Sequence, residues 1–452
     1  MRLSPIGRHA IAEQFASLGM TRHDAASRAD LFAHLADRTD GILDGLPDWW
    51  RFTPGRIEIF GKHTDYAGGH SLLAAVPRGI ALVAERRTDG VVRVGDVFDG
   101  QRIEIDPSRP APPEYRGLKR YIHVVAHRLF LNFPGCELGT NIAFGSDLPR
   151  ASGMSSSSAL TVGVALALIE RAQLRDRAEW QAHLTTVEDV AWYLGCVENG
   201  LDFPGLPGSA GVGTQGGSED QTAIVASTTD HVGLYRFVPV TALGATRMPS
   251  DWMFVIASSG VQADKAGSVM HLYNRASSGV RALLDIWNRH ATHAQSLASA
   301  LRSAPDAEQQ LRGWLAPTAD GAFTAADLDR RLRPFVRESA RGPQAAIAFA
   351  QGDSETLGRL SAESQHDAEH LLGNQIPETV LMATLAREQG AFASSSFGAG
   401  FGGSVWAAVP AHDAERFGHA WIRAYEAAVP SVGAVPWFAA RPGPPATAVT
   451  PG

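Results

Sequence analysis

Four short stretches of this chain hold residues whose types and spacing could do chemistry, and each lies beside glycine. The first is PGRIEIFGKHTDYAGGH, residues 54–70, which groups Arg56, Lys62, His63 and Asp65. Its Gly-Lys pair suggests a phosphate-binding P-loop. That motif needs glycine where Arg56 stands and Ser or Thr where His63 stands, so the P-loop reading fails. The second is DLPRASGMSSSSALTVGVALAL, residues 147–168, a small-residue loop feeding an apolar helix. Amide N–H groups at a helix start carry partial positive charge and favour phosphate. The serine run adds hydroxyl donors and candidate Mg²⁺ ligands. Ser155 as a simple N-cap on a polar turn is the competing structural reading.

The third stretch is SSSFGAGFGGSVWAAV, residues 394–409, whose glycines permit positive φ and close backbone approach to a ligand. A dinucleotide-binding reading is weak, because a strand-like run follows GAGFGG and not a helix. A tight hairpin or strand-entry turn remains the other reading. The fourth is GGSEDQTAIVAS, which places Asp220 and Gln221 at the end of a glycine loop and the start of an expected strand. Upstream, VEDVAWYLGCVENG puts Glu188, Asp189 and Glu198 on or just past a helix. A lone acid on a helix is usually solvated. An acid after a glycine loop is the better catalytic candidate.

The elements that must position these residues follow from periodicity. One or two amphipathic helices are expected over residues 8–38, then strands at RIEIF, GIALVAER, VVRVGDVF and QRIEID. LKRYIHVVAHRLFLN reads as a helix, CELGTNIAFG as a strand, and SSSSALTVGVALALIERAQL and residues 177–196 as two further helices. The Gly/Pro-rich run from Glu198 to Gly217 reads as a loop. Strands return at QTAIVAS, GLYRFVPV and WMFVIASS, and the later half is mostly helical. The tail RPGPPATAVTPG has a linker-like composition and is expected to be exposed.

Composition bounds the function. A chain of 452 residues exceeds one ordinary core, so two domains are expected, divided near residues 240–252. With 44% hydrophobic and 19% charged residues it reads as a soluble globular protein. A net charge of −7 without a basic run argues against nucleic-acid and anionic-membrane partners. Cys136 and Cys196 form no metal-ligand or disulfide pattern. No signal-peptide pattern opens the chain, and the apolar run 159–170 is too short to span a bilayer, so a cytoplasmic protein is expected.

Together these stretches resemble the GHMP kinases, and within them the galactokinase family. PGRIEIFGKHTDYAGGH resembles the family's sugar-binding signature, LPRASGMSSSSAL its phosphate loop and GAGFGGSV its C-terminal glycine motif. ENG…GGSEDQ and HLYNRASSGV are weaker matches, and the similarity runs from residue 54 to about 409. The resemblance implies an α+β fold of two domains. Residues 1–247 would form a ribosomal-protein-S5-like N-terminal domain and residues 248–452 a ferredoxin-like C-terminal domain, with the site in the cleft. It implies an ATP- and Mg²⁺-dependent kinase making an α-sugar-1-phosphate, whose partners are a small sugar and ATP.

Carried over by position, Asp220 matches the acid facing the anomeric hydroxyl and Arg56 the arginine beside it. Whether Asp220 takes the proton or mainly orients the hydroxyl stays open. Residues Ala151, Ser152, Gly153, Met154, Ser155, Ser156 and Ser157 would cradle the ATP phosphates, with Ser157 and Glu198 on Mg²⁺. His63, Asp65 and Tyr273 match sugar-contacting positions, and so does Lys62 by location.

Lys62 departs from the family, which carries Glu there, at the position of the sugar's hydroxymethyl end. A cation facing that end would favour a sugar bearing an anion, such as galacturonate, or another sugar such as L-arabinose. Alternatively Lys62 turns away or pairs with an acid such as Glu58, leaving galactose binding little changed. Glu219 replaces the family's Met before the Asp-Gln pair, and Phe397 a Thr ahead of GAGFGG. A sugar- and ATP-binding regulator without catalysis is the reading from a different class.

Overall fold

The computed structural model describes residues 2–149, 153–262 and 269–452. The chain opens with helices α1 (Pro5–Ser17) and α2 (Arg22–Ala36), started by the side chains of Ser4 and Thr21, which accept from amides of their first turns. They pack Phe15 and Phe32 onto Trp50 and Phe52 of strand β1 (Trp49–Phe60). Next come β2 (His70–Arg86), β3 (Val92–Asp96), β4 (Arg102–Ile105), α3 (Gly117–Asn132), β5 (Thr140–Ser146) and α4 (Ser156–Arg171). Then α5 (Ala178–His183), α6 (Val187–Asn199), α7 (Glu219–Ala226), β6 (His231–Arg236) and β7 (Thr241–Arg247) complete this half.

The second half runs β8 (Trp252–Ser258), α8 (Met270–His290), α9 (Leu297–Leu301), α10 (Ala307–Gly313), α11 (Ala325–Gln351) and α12 (Ser354–Asp367). It ends with α13 (Pro377–Glu388), β9 (Ala393–Ser396), β10 (Ser404–Pro410), α14 (Ala414–Ala428), β11 (Trp437–Ala440) and β12 (Thr447–Val449). The first sheet is ordered β12-β1-β2-β5-β3-β4, with β6 pairing β2 and β7 pairing β6. The second is ordered β11-β8-β10-β9. Helices cover sheets in both halves, the expected α+β architecture.

Strands β1 and β2 are buried nearly throughout, because helices or the other half cover both faces. Helix α4 is apolar all round and buried from Ser158 to Ile169, as such a helix must be. The β1–β2 register shifts between Pro54 and Arg56 and again between Glu58 and Phe60. Such irregularities re-aim side chains, and here they bracket Arg56 and Glu58.

Three expectations are corrected. QTAIVAS is not a strand but lies largely in α7. A short apolar run cannot separate a buried strand from a buried helix, and the acids Glu219 and Asp220 suit a helix first turn. Residues 177–196 are not one helix: the chain breaks after α5, and Thr186 with Asp189 forms a capping box that starts α6. The tail is not exposed. Pro442, Gly443 and Pro444 are buried, and the Gly443 amide donates to the Ala75 carbonyl at 2.8 Å. A Cβ at Gly443 would lie 2.7 Å from the Val76 carbonyl oxygen, so this approach needs glycine. β12 then pairs with β1, so the last residues of the 248–452 segment join the first sheet.

Lys62 ties the two halves together. It follows β1, is 4% exposed, and its ammonium donates to Ser364 Oγ of α12 at 2.8 Å and Ser395 Oγ of β9 at 2.9 Å. Glu338 Oε1 of α11 lies 4.0 Å from it and accepts from the Gly61 amide at 3.0 Å. Arg341 holds the other oxygen of Glu338 at 2.9 Å and reaches Asp367. Burial opposes the charge of Glu338, but Lys62 and Arg341 hold its carboxyl below the usual range. That stability is present above the ordinary glutamate pKa and is lost as pH falls through the depressed one. Lys62→Met, which leaves Glu338 short of a cation, is expected to cost roughly 3 kcal/mol. Urea unfolding measures it, and an unchanged midpoint would contradict this role.

Candidate active site

Arg56 on β1 and Asp220 in the first turn of α7 meet at the centre of the site. Arg56 Nε and Nη2 lie 2.9 and 2.6 Å from Asp220 Oδ1. Nη1 donates to the Gly153 carbonyl at 2.5 Å, so the same guanidinium also pins the turn that enters α4. Burial works against its charge, yet Asp220, Glu219 and Glu58 hold Arg56 above the ordinary arginine range. The second oxygen of Asp220 accepts from Ser158 Oγ at 3.1 Å.

Gly153, Ser155, Ser156 and Ser157 line a cavity of about 250 Å³ together with Arg56 and Asp220. Gly153 and Ser155 have φ of 76° and 56°, the left-handed region, which turns the loop sharply into α4. Ser155 occupies the N-cap position, but its side chain makes no capping hydrogen bond. The simple N-cap reading therefore does not describe it. Met154 points into the core at 1% exposure, and only its carbonyl takes part, accepting from the Arg56 amide at 3.3 Å. Ala151 and Ser152 lie outside the described residues.

Glu198 is in the last turn of α6 and lines the cavity. Its Oε1 accepts from Ser158 at 3.2 Å and its Oε2 from Gln221 at 2.8 Å. Ser158, the last of the serine run, was not singled out in the sequence, yet it joins Glu198 to Asp220. Its position directly before the apolar face of α4 was the available signal.

His63, Asp65 and Tyr273 also line the cavity. His63 Nδ1 is 2.9 Å from Tyr66 Oη and Nε2 is 3.1 Å from the Ala399 carbonyl, so Nε2 carries the hydrogen and Tyr66 donates. Burial, then Arg331, lowers His63 to about 3, so the ring is neutral and shapes the wall without exchanging protons. Its ring lies 5.2 Å from that of Tyr273. Asp65 Oδ2 accepts from the Glu219 amide at 3.1 Å. Asn199 organises the glycine loop, accepting from the Gly216 amide at 2.8 Å and donating to the Gly217 carbonyl at 2.9 Å. A Cβ at Gly217 would fall 2.4 Å from Asp65 Oδ2.

Lys62, like Met154, is a sequence candidate whose side chain does not join the cavity. Its stem points across the seam to Ser364, Ser395 and Glu338, and not to Glu58. Two carboxyls missed as site residues, Glu58 and Glu219, line the cavity instead. Glu58 lies two positions beyond Arg56 on a strand, which puts both side chains on one face and could have flagged it.

The galactokinase galactose-binding signature matches residues 45–86, the GHMP kinase N-terminal domain residues 119–190 and the GHMP kinase C-terminal domain residues 345–427. A galactokinase of Roseiflexus sp. is 28% identical over 387 residues, covering 82% of this chain and 86% of that protein. A galactokinase of Chloroflexus aurantiacus is 28% identical over 380 residues, with the same coverage of each chain. Among solved structures, Lactococcus lactis galactokinase complexed with galactose superposes with a TM-score of 0.74 at 22% identity, covering 92% of this chain and 99% of that one. A D-glycero-D-manno-heptose 1-phosphate kinase from Bacteriodes thetaiotaomicron gives 0.53 at 14% identity, covering 89% and 98%. The signature, both domains in order and these relatives place the chain in the GHMP kinase superfamily, as a sugar kinase of the galactokinase family.

Proposed function

We propose that the protein transfers a phosphoryl group from ATP to the anomeric hydroxyl of galactose or a closely similar neutral sugar, giving the α-1-phosphate. The observation that carries this reading is the Arg56–Asp220 pair, aimed into a cavity walled by both the phosphate loop and the sugar signature. Phosphoryl transfer needs in-line positioning and charge neutralisation more than covalent chemistry. Asp220 accepts the hydrogen bond of the anomeric hydroxyl and takes its proton as the O–P bond forms and the bond to ADP breaks. A carboxylate paired to arginine is a weak base, so this proton moves late. Arg56 and Ser158 fix the direction of the carboxylate by holding one oxygen each.

Mg²⁺ prefers hard oxygen donors and keeps phosphates and waters in its sphere. No cluster of three or more His, Cys, Asp or Glu suited to a metal occurs among the described residues. One carboxylate and serine hydroxyls at the phosphate loop fit an ion carried in with ATP, and Ser157 and Glu198 would hold it. When bound it neutralises charge on the transferred group.

A uronic acid fits poorly. Among the described residues, Glu58, Asp65, Glu198, Glu219 and Asp220 line the cavity against one guanidinium, and Lys62 is directed elsewhere. Coupled assays over a sugar panel are expected to show turnover of galactose and little or none of galacturonate. Efficient galacturonate turnover, or intact binding without turnover of any sugar, would overturn this reading. Asp220→Asn is expected to lower kcat by about 10²–10⁴-fold, the size of a lost general base. Wild-type kcat in that variant would remove Asp220 from the chemistry.

A further inference from the structure

A second pair of side chains lies on the same two elements as the Arg56–Asp220 pair. Glu58 shares the Arg56 face of β1, and Glu219 directly precedes Asp220 in α7. Both line the cavity and both are buried, and Glu219 is held by Ser71 of β2, the strand that pairs with β1 at Glu58. Each has one fixed donor. The Gly398 amide donates to Glu58 Oε2 at 3.2 Å, and the Ser71 hydroxyl to Glu219 Oε2 at 2.7 Å. Glu58 Oε1 is buried and receives no hydrogen from any described protein donor. Two buried carboxylates facing one cavity repel when both are ionised, and a carboxyl oxygen without a donor is costly there, so the pair favours keeping a proton.

We propose that Glu58 and Glu219 share one proton, and that this acid pair is a positioning element that fixes the first turn of α7 against β1 so that Asp220 faces the sugar. The inference rests on the kinase reading of the cavity. Glu58 faces Arg56 on its own strand, Lys62 beyond its end, Glu338 of α11 and Glu219 of α7. Glu219 faces Glu58, Asp65, Arg56 and Asp220. Burial raises Glu58 against the pull of Lys62 and Arg56. Burial, then Glu58 and Asp65, raises Glu219 as well. Losing the shared proton leaves two facing carboxylates. It also draws on Arg56, whose charge already responds to both.

The sign of the pH effect follows. The folded pair keeps protons where free glutamates have lost them, so stability falls as pH rises from the ordinary glutamate range toward that of the pair. Thermal unfolding, kcat, and KM for galactose and ATP are measured from mildly acid to alkaline pH. The proteins compared are wild type, Glu219→Gln, Glu58→Gln and Glu219→Ala. Wild-type stability and kcat are expected to fall on the alkaline side. Glu219→Gln keeps a donor that cannot ionise, so both its profiles flatten. Glu219→Ala is expected to lower kcat by about 10–100-fold, as misplacing a catalytic group does, with little change in KM for ATP. Recovery of most of that loss by Glu219→Gln marks positioning and not folding. An alkaline fall in Glu219→Gln equal to that of wild type, or wild-type kcat in Glu219→Ala, overturns the proposal. A wild-type protein that phosphorylates no sugar overturns the kinase reading instead, and the unfolding profiles still decide the shared proton.

Discussion

A single guanidinium, almost wholly out of water, sets the terms for the rest of this structure. Arg56 is 3% exposed and always charged, so its surroundings must neutralise it and fill its donor positions. Asp220 supplies the charge, and the Gly153 carbonyl takes another donor. The guanidinium carbon lies 5.8 Å from the Phe397 ring, at the start of the C-terminal glycine loop. Satisfying one side chain therefore brings together β1, α7, the turn that enters α4 and the second half of the chain. The site and the fold have the same keystone.

The surrounding charges sort into two networks that meet at Glu58, which feels both Arg56 and Lys62. On the cavity side, among the described residues, carboxyls outnumber cations and Arg56 is the only guanidinium or ammonium in the lining. Across the seam, Lys62, Glu338, Arg341 and Asp367 alternate in sign and satisfy one another. Lys62 belongs to the second network although it lies within the first motif. Its ammonium therefore holds the walls together from outside the pocket, where its charge is felt at Glu58 and His63.

Much of the site was legible because the chemistry demands residue types at positions that backbone geometry already restricts. Arg56, His63, Asp65 and Asp220 are read from short glycine-bearing stretches, and the chain brings all four to one cavity. Side-chain direction was not legible. Nothing in the order of residues says whether Lys62 points to a sugar or to Ser364 and Ser395, since both partners lie some 300 positions away. Strand and helix were confused at QTAIVAS because a short buried run carries no period. The tail misled for a related reason: prolines and glycines mark a linker only when no groove is cut to receive them. Gly443 lies against Val76, and Arg441 is held by Asp230 and the Trp252 carbonyl.

That tail has a consequence for how the molecule comes to exist. β12 supplies the outer neighbour of β1, the strand that carries Arg56, yet almost 400 residues separate the two in sequence. During synthesis the outer edge of β1 stays unpaired until residues 447–449 have emerged. An open strand edge is a template for wrong partners, and a contact of such long range forms late. The strand at the heart of the enzyme is thus among the first to be made and the last to be finished.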